Sequence, residues 1–138
     1  MPSFLNQAAK ARGAEAKANV GAMNRAQQAY YLEKQEFTVL PATLGLSLDL
    51  DTENFEYTAT AAAPLLPGTG TTAGVTNNDK SKKGDIKSYV GGTFYLTGIT
   101  KTVLCEAQAP GTTALTAPAA PTAATEEAIC ATGTTVIK

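Results

Sequence analysis

The sequence predicts an α+β domain: one long N-terminal helix packed on a roughly four-stranded antiparallel sheet, followed by a C-terminal region held by two cysteines. Three observations predict it. Strong helix formers dominate the stretch from Phe4 to Leu32. Apolar and polar residues alternate in short stretches between positions 54 and 106. The two cysteines of the chain both fall near its C-terminus. All 138 residues fit a single domain, divided into a helix over 2–34, a connecting loop over 35–53, a sheet over 54–106 and a cysteine-bound region over 105–138.

The helix comes first. Ala8, Ala9, Ala11, Ala14, Ala16, Ala18, Ala22, Ala26 and Ala29 stand among Lys, Arg, Glu, Gln and Met, so propensity alone favours it. Some 30 residues at a rise of ~1.5 Å make a rod about 45 Å long, more than a small sheet needs as a packing partner. Leu5, Ala9, Ala16, Val20, Met23 and Tyr30 recur at intervals of three, four or seven and form one apolar stripe, with Arg12 and Gln27 filling the steps. Val20, Met23 and Tyr30 are expected to hold the helix to the sheet. Phe4, Leu5, Ala8, Ala9 and Ala11 are apolar but lie beyond the sheet's reach, which makes them the expected assembly contacts. Pro2 is tolerated in a first helical turn, and would mark a kink if helix continued upstream.

In the sheet region, Phe55, Tyr57 and Ala59 alternate with Glu56, Thr58 and Thr60, the pattern of a half-buried strand over 54–62. Pro64 to Gly84 carries the turn and solvent signals Pro67-Gly, Gly68-Thr-Gly, Asn77-Asn-Asp and Lys80-Ser-Lys-Lys, and is expected to be a loop. Lys87-Ser-Tyr-Val and Thr93-Phe-Tyr-Leu-Thr flank Gly91-Gly92, which is read either as a hairpin turn or as a bulge inside one longer strand. Ile99 to Cys105 alternates again, and Thr134-Thr-Val-Ile is a candidate edge strand.

Composition excludes several function classes. With no histidine and no Gly-x-Ser-x-Gly, P-loop or Rossmann fingerprint, no catalytic residue and no cofactor site is assigned, and the chain is not read as an enzyme. Eleven basic against twelve acidic residues give a net charge of -1, so no overall field attracts nucleic acid or an anionic membrane. Lys80, Lys82, Lys83 and Lys87 form the one basic cluster and are read as a solvated loop, with phosphate contact as the alternative. Asp49-Leu-Asp-Thr-Glu-Asn resembles the opening of a calcium loop, but Asn54 replaces the required Gly and Thr60 the required Glu. Asp49, Asp51 and Glu53 are therefore read as a solvated turn, and no metal site is assigned. The aromatic residues are read as core. Cys105 and Cys130, an even pair in a chain without Cys-x-x-Cys, fit a disulfide better than zinc or redox chemistry, two buried thiols being the alternative.

Pro2-Ser-Phe-Leu-Asn-Gln-Ala-Ala-Lys-Ala-Arg, Glu15-Ala-Lys-Ala-Asn and Ala26-Gln-Gln-Ala-Tyr-Tyr resemble the middle of the first helix of a type IV pilin. Ala11-Arg-Gly-Ala-Glu-Ala-Lys, Asn24-Arg-Ala-Gln-Gln-Ala-Tyr, Lys87-Ser-Tyr-Val-Gly-Gly and Leu104-Cys-Glu are most similar to the major pilins of cyanobacteria. The resemblance is dense over residues 2–37 and thinner afterwards. It implies the pilin fold, with Cys105 and Cys130 as the disulfide that staples the C-terminal segment to the sheet. It also implies a structural subunit that assembles with other copies of itself through packed N-terminal helices. The implied partners are motor ATPases, a platform protein, a prepilin peptidase and the inner membrane; the implied outputs are surface motility, adhesion and DNA uptake, with DNA a weakly supported partner.

Family members carry a leader, a processing site and about twenty apolar residues upstream of this stretch, and no window of this sequence has the ~18–20 continuous apolar residues of a membrane span. The chain is accordingly expected to be the truncated extracellular domain, with Met1 an added start. Three other readings follow from the same residues: a type II secretion pseudopilin, which would bind calcium; a minor pilin of the filament tip; and a secreted adhesin or ligand-binding module, which would need a polar pocket. O-glycosylation fits a pilin, while Asn-x-Ser/Thr is absent.

Overall fold

The alanine-rich start of the chain forms one helix in the computed structural model: α1, Pro2–Lys34, about 50 Å of rod at ~1.5 Å per residue. The structure describes residues 2–46, 50–62, 65, 72–121 and 127–137, with the side chains of 2–10 and 72 left aside. Helix α1 ends where Gln35 turns into the left-handed region at φ 58°. The Gln35 N–H donates to the Tyr31 carbonyl at 2.7 Å, and its side-chain amide reaches the Tyr31 and Leu32 carbonyls at 3.4 Å each. A residue other than glycine thus satisfies carbonyls that the helix end leaves open.

Five strands follow: β1 Phe55–Ala61, β2 Thr72–Ser81, β3 Tyr89–Leu96, β4 Ile99–Ala107 and β5 Thr134–Val136. They lie in chain order in one sheet, each antiparallel to the next. The pilin-like arrangement of a long helix on an antiparallel sheet is therefore present, with one strand more than the sequence predicts.

The extra strand is β2, and it corrects the expected Pro64–Gly84 loop. Asn77-Asn-Asp lies within this ten-residue strand and not at a turn. Val75, Asn77, Asp79 and Ser81 alternate toward the helix and are all buried. Polar residues that favour turns locally are kept in a strand by what packs above them. The turn signals at positions 66–71 fall outside the described residues.

Gly91-Gly92 is neither a hairpin turn nor a bulge. β3 runs straight through both, with unbroken register to β2 and β4. A Cβ on Gly91 would lie 2.8 Å from Val20 Cγ1, and one on Gly92 would lie 2.6 Å from Phe94 Cε2 and 3.0 Å from Pro118 Cγ. The first glycine lets the helix approach one face, and the second lets the C-terminal segment approach the other. The β3–β4 turn is made instead by Thr97 and Gly98, both with positive φ, at 45° and 96°, as a tight hairpin requires.

The sheet is covered on both faces. In front, Ala16, Val20 and Met23 of α1 pack with Phe55, Tyr57, Ile86 and Tyr89, while Tyr31 packs with Phe37, Ala59, Ala73 and Val75. Behind, Val90, Phe94, Val103 and Cys105 pack with Ala128, Leu115 and Cys130 of the C-terminal segment. Each of the larger apolar side chains buried here contributes about 1.5–3 kcal/mol.

Candidate functional site

The first helix residue buried against the sheet, among described side chains, is Gly13, where a Cβ would meet Tyr89 Oη at 2.9 Å. Helix α1 continues from there to Pro2, about 16 Å at ~1.5 Å per residue. The side chains of Phe4, Leu5, Ala8 and Ala9 lie outside the described residues, and Ala11 is exposed. Among the described side chains, burial on the helix thus begins at Gly13.

The stretch on the sheet is held by apolar contact and by a buried polar seam. Val20 and Met23 have no exposed surface. Tyr30 is only half-buried; its neighbour Tyr31 takes the core position, with its ring 4.8 Å from Tyr95 and 4.7 Å from Phe37. The cause is helical phase: at ~100° per residue, position 31 falls about 20° from Val20 around the helix and position 30 about 80° away.

In the seam, Gln27 receives the Thr38 backbone N–H at 3.1 Å and donates to the Thr38 carbonyl at 2.8 Å and to Asn77 Oδ1 at 3.2 Å. Asn77 Nδ2 donates to Asn24 Oδ1 at 2.7 Å, and Asn24 Nδ2 to the Val103 carbonyl at 3.0 Å. Thr93 Oγ1 joins them at 3.3 Å from Asn24 Oδ1. Directional bonds to β2, β4 and the segment after the helix fix the helix's register in a way that apolar burial alone does not.

Beside the seam, one row of side chains crosses the sheet: Tyr57, Asp79, Tyr89 and Glu106 are successive partners across β1, β2, β3 and β4. Burial pushes the Tyr57 phenol up to about 12, against the Asn19 hydrogen bond and with help from Asp79 and Glu15. Burial, the bond to Glu106 and the charges of Glu106 and Asp79 push Tyr89 higher still. Tyr89 Oη donates to Glu106 Oε2 at 2.9 Å, and Lys87 Nζ sits 3.3 Å from the other oxygen.

At the far side, Cys105 and Cys130 are joined in a disulfide, with Cα atoms 5.8 Å apart. It ties the end of β4 to the segment that returns to form β5, and Cys105 itself is fully buried.

The family model described as type IV pilin-like G and H matches residues 13–131 of this sequence, from the first buried turn of α1 to just past the disulfide. The chain belongs to this family. No curated protein and no solved structure matches it.

The remaining candidates of the pilin-like chain are placed as follows. Asp49 lies outside the described residues. Asp51 is ion-paired with Lys82, whose Nζ also donates to the Thr52 carbonyl at 2.7 Å, and Glu53 is exposed. Among the described residues no three potential ligands gather into a metal site. Of the lysines, Lys80 belongs to β2, Lys82 meets Asp51, Lys83 is exposed and Lys87 meets Glu106. No helix in the described residues is long and apolar enough to cross a membrane. Sequence reasoning missed Asn24, Asn77, Thr93 and Asp79; the signal available was Gln27, a polar residue in phase with the apolar stripe.

Proposed function

We propose that the intact protein is a structural subunit of a type IV pilus filament and that this domain is its head. Family membership over residues 13–131 carries this reading, and a helix that continues upstream from Gly13 to Pro2 supports it. Phe4, Leu5, Ala8, Ala9 and Ala11 make the assembly contacts with neighbouring copies, while Val20 and Met23, with Tyr31 in place of Tyr30, transmit load from the helix to the sheet. The driving force is apolar burial between helices. The disulfide and the seam keep the head folded in an oxidising, mechanically exposed setting.

In this reading the precursor is anchored in the inner membrane by an apolar segment upstream of α1 and processed by a prepilin peptidase. Motor ATPases and a platform protein then build it into an extracellular pilus serving motility, adhesion or DNA uptake. The test is a paired charge insertion, Leu5→Asp with Ala9→Asp, in the full-length gene. The expected result is normal protein in the membrane fraction and no filaments in the sheared fraction. Filaments at the parental level would contradict the assignment of the assembly contacts.

A further inference from the structure

Asp79 stands in the middle of the Tyr57–Asp79–Tyr89–Glu106 row, on the sheet face covered by α1, and is almost fully buried. Neither of its carboxyl oxygens receives a hydrogen bond of ordinary geometry. Of the two phenols beside it, Tyr89 Oη donates to Glu106 at 2.9 Å, while Tyr57 Oη accepts from Asn19 Nδ2 at 3.0 Å and makes no bond to Asp79. The charged groups around the row are Glu15 of α1 and Glu106 of β4, both acidic, and Lys87, which pairs with Glu106. Besides Glu15, the helix contributes Gly13, Ala16 and Val20, which carry no charge. An ionised carboxylate with no cation beside it and no well-formed donor is costly in such a place, so the closed helix–sheet contact selects the neutral acid.

We propose that Asp79 is a proton-binding site that sets how firmly the 13–20 stretch of α1 lies on the sheet. With the proton bound, this stretch of helix closes over the row. When the proton leaves, the carboxylate needs water, and water reaches it only if the helix lifts from Tyr57 and Tyr89. Asp79 is only 2 % exposed, so hydrating its carboxylate needs movement of what covers it.

The direction of the effect follows from linkage. The Asp79 carboxyl ordinarily titrates at 3.8 and is pushed up to about 8 by burial, with the Tyr89 backbone N–H pulling the other way. The folded chain therefore keeps a proton that the unfolded chain has lost. The stability of this helix–sheet contact is full below the unfolded value, falls as pH rises from about 4 to about 8, and is lowest above that. This is opposite to the behaviour of a carboxylate held by a salt bridge. The inference concerns the domain itself and stands apart from its place in a filament.

The test is amide hydrogen exchange on the whole 138-residue chain, with rates corrected for the intrinsic pH dependence of exchange. Protection of the α1 amides at 13–24 is expected to fall about tenfold or more between about pH 6 and about pH 9, while β3 and β4 change little; in Asp79→Asn it stays flat. The Asp79 carboxyl carbon in the wild-type chain, followed by NMR, is expected to titrate well above pH 6 or so. Unchanging protection in the wild type, the same fall in Asp79→Asn, or a carboxyl midpoint near pH ~4 would each overturn the proposal. Should the variant fail to fold, the two wild-type measurements decide.

Discussion

Gly91 lies so close beneath Asn24 that a Cβ at Gly91 would sit 2.5 Å from Asn24 Oδ1 and 2.8 Å from its Nδ2. The amide occupying that space holds the helix to β4 through the Val103 carbonyl and to β2 through Asn77. One absent methyl group therefore permits the polar seam.

Gly91→Ala is expected to destabilise the domain by roughly 1–3 kcal/mol, since the extra carbon meets both the seam and Val20 and the backbone must shift. Gly84→Ala, with nothing within 4 Å of the added carbon, serves as the control and should stay within ~0.5 kcal/mol of the parent. Urea unfolding of the two variants checks the difference. Equal midpoints would mean that the helix does not sit where the seam places it.

The two adjacent tyrosines should separate sharply. Tyr31→Ala is expected to cost roughly 3–5 kcal/mol, because it empties a position that is 4 % exposed and shared with Phe37 and Tyr95. Tyr30→Ala should cost under ~1.5 kcal/mol. Met23→Ala belongs with Tyr31, at roughly 2–5 kcal/mol. Denaturant unfolding of the three variants reads the helix phase directly, and a loss below ~0.5 kcal/mol for Met23→Ala would show that the wrong face is buried.

Gln27→Ala removes the partner of the Thr38 N–H and carbonyl and of Asn77 together. A loss of roughly 2–4 kcal/mol is expected, more than one hydrogen bond is worth, because buried groups are left without partners. The amides following the helix, Thr38 first, should lose protection against hydrogen exchange before those of β3. Unchanged protection at Thr38 would argue against the seam.

Replacing both cysteines, Cys105→Ser with Cys130→Ser, frees a segment of 25 residues in sequence separation, and the chain-entropy argument gives a loss of roughly 3.5 kcal/mol. The back-face cluster around Val90, Phe94 and Leu115 should open first, seen as early proteolysis between β4 and β5 with the helix still on the sheet. Proteolysis unchanged from the parent would mean that apolar packing alone holds the segment.

Much of this was legible in the sequence wherever local pattern and tertiary context agree. The alanine-rich helix, the alternation around Tyr57 and the run into Cys105 have the same preference alone and in the fold. Val20 and Met23 are buried, whereas Tyr31 and not Tyr30 takes the core position, because a stripe traced in steps of three, four and seven drifts against a 3.6-residue turn. β2 was hidden because Asn77 and Asp79 prefer turns locally, and only the helix above them makes a strand position favourable. Gly91-Gly92 was ambiguous for a related reason: a glycine can mark a turn or a close approach, and the approaching helix is distant in sequence. The proposed assembly contacts at Phe4, Leu5, Ala8, Ala9 and Ala11 rest on sequence pattern and on the continuation of α1 to Pro2.

The central claim, that this family member is a building block of a filament, is tested most directly on the filament. Antibody raised against the domain should be applied to pili sheared from cells carrying the full-length gene and from cells in which it is deleted. The account predicts regular labelling along the whole filament, and no filaments after deletion. Filaments that persist unlabelled after deletion, with the domain recovered only as free protein, would contradict it.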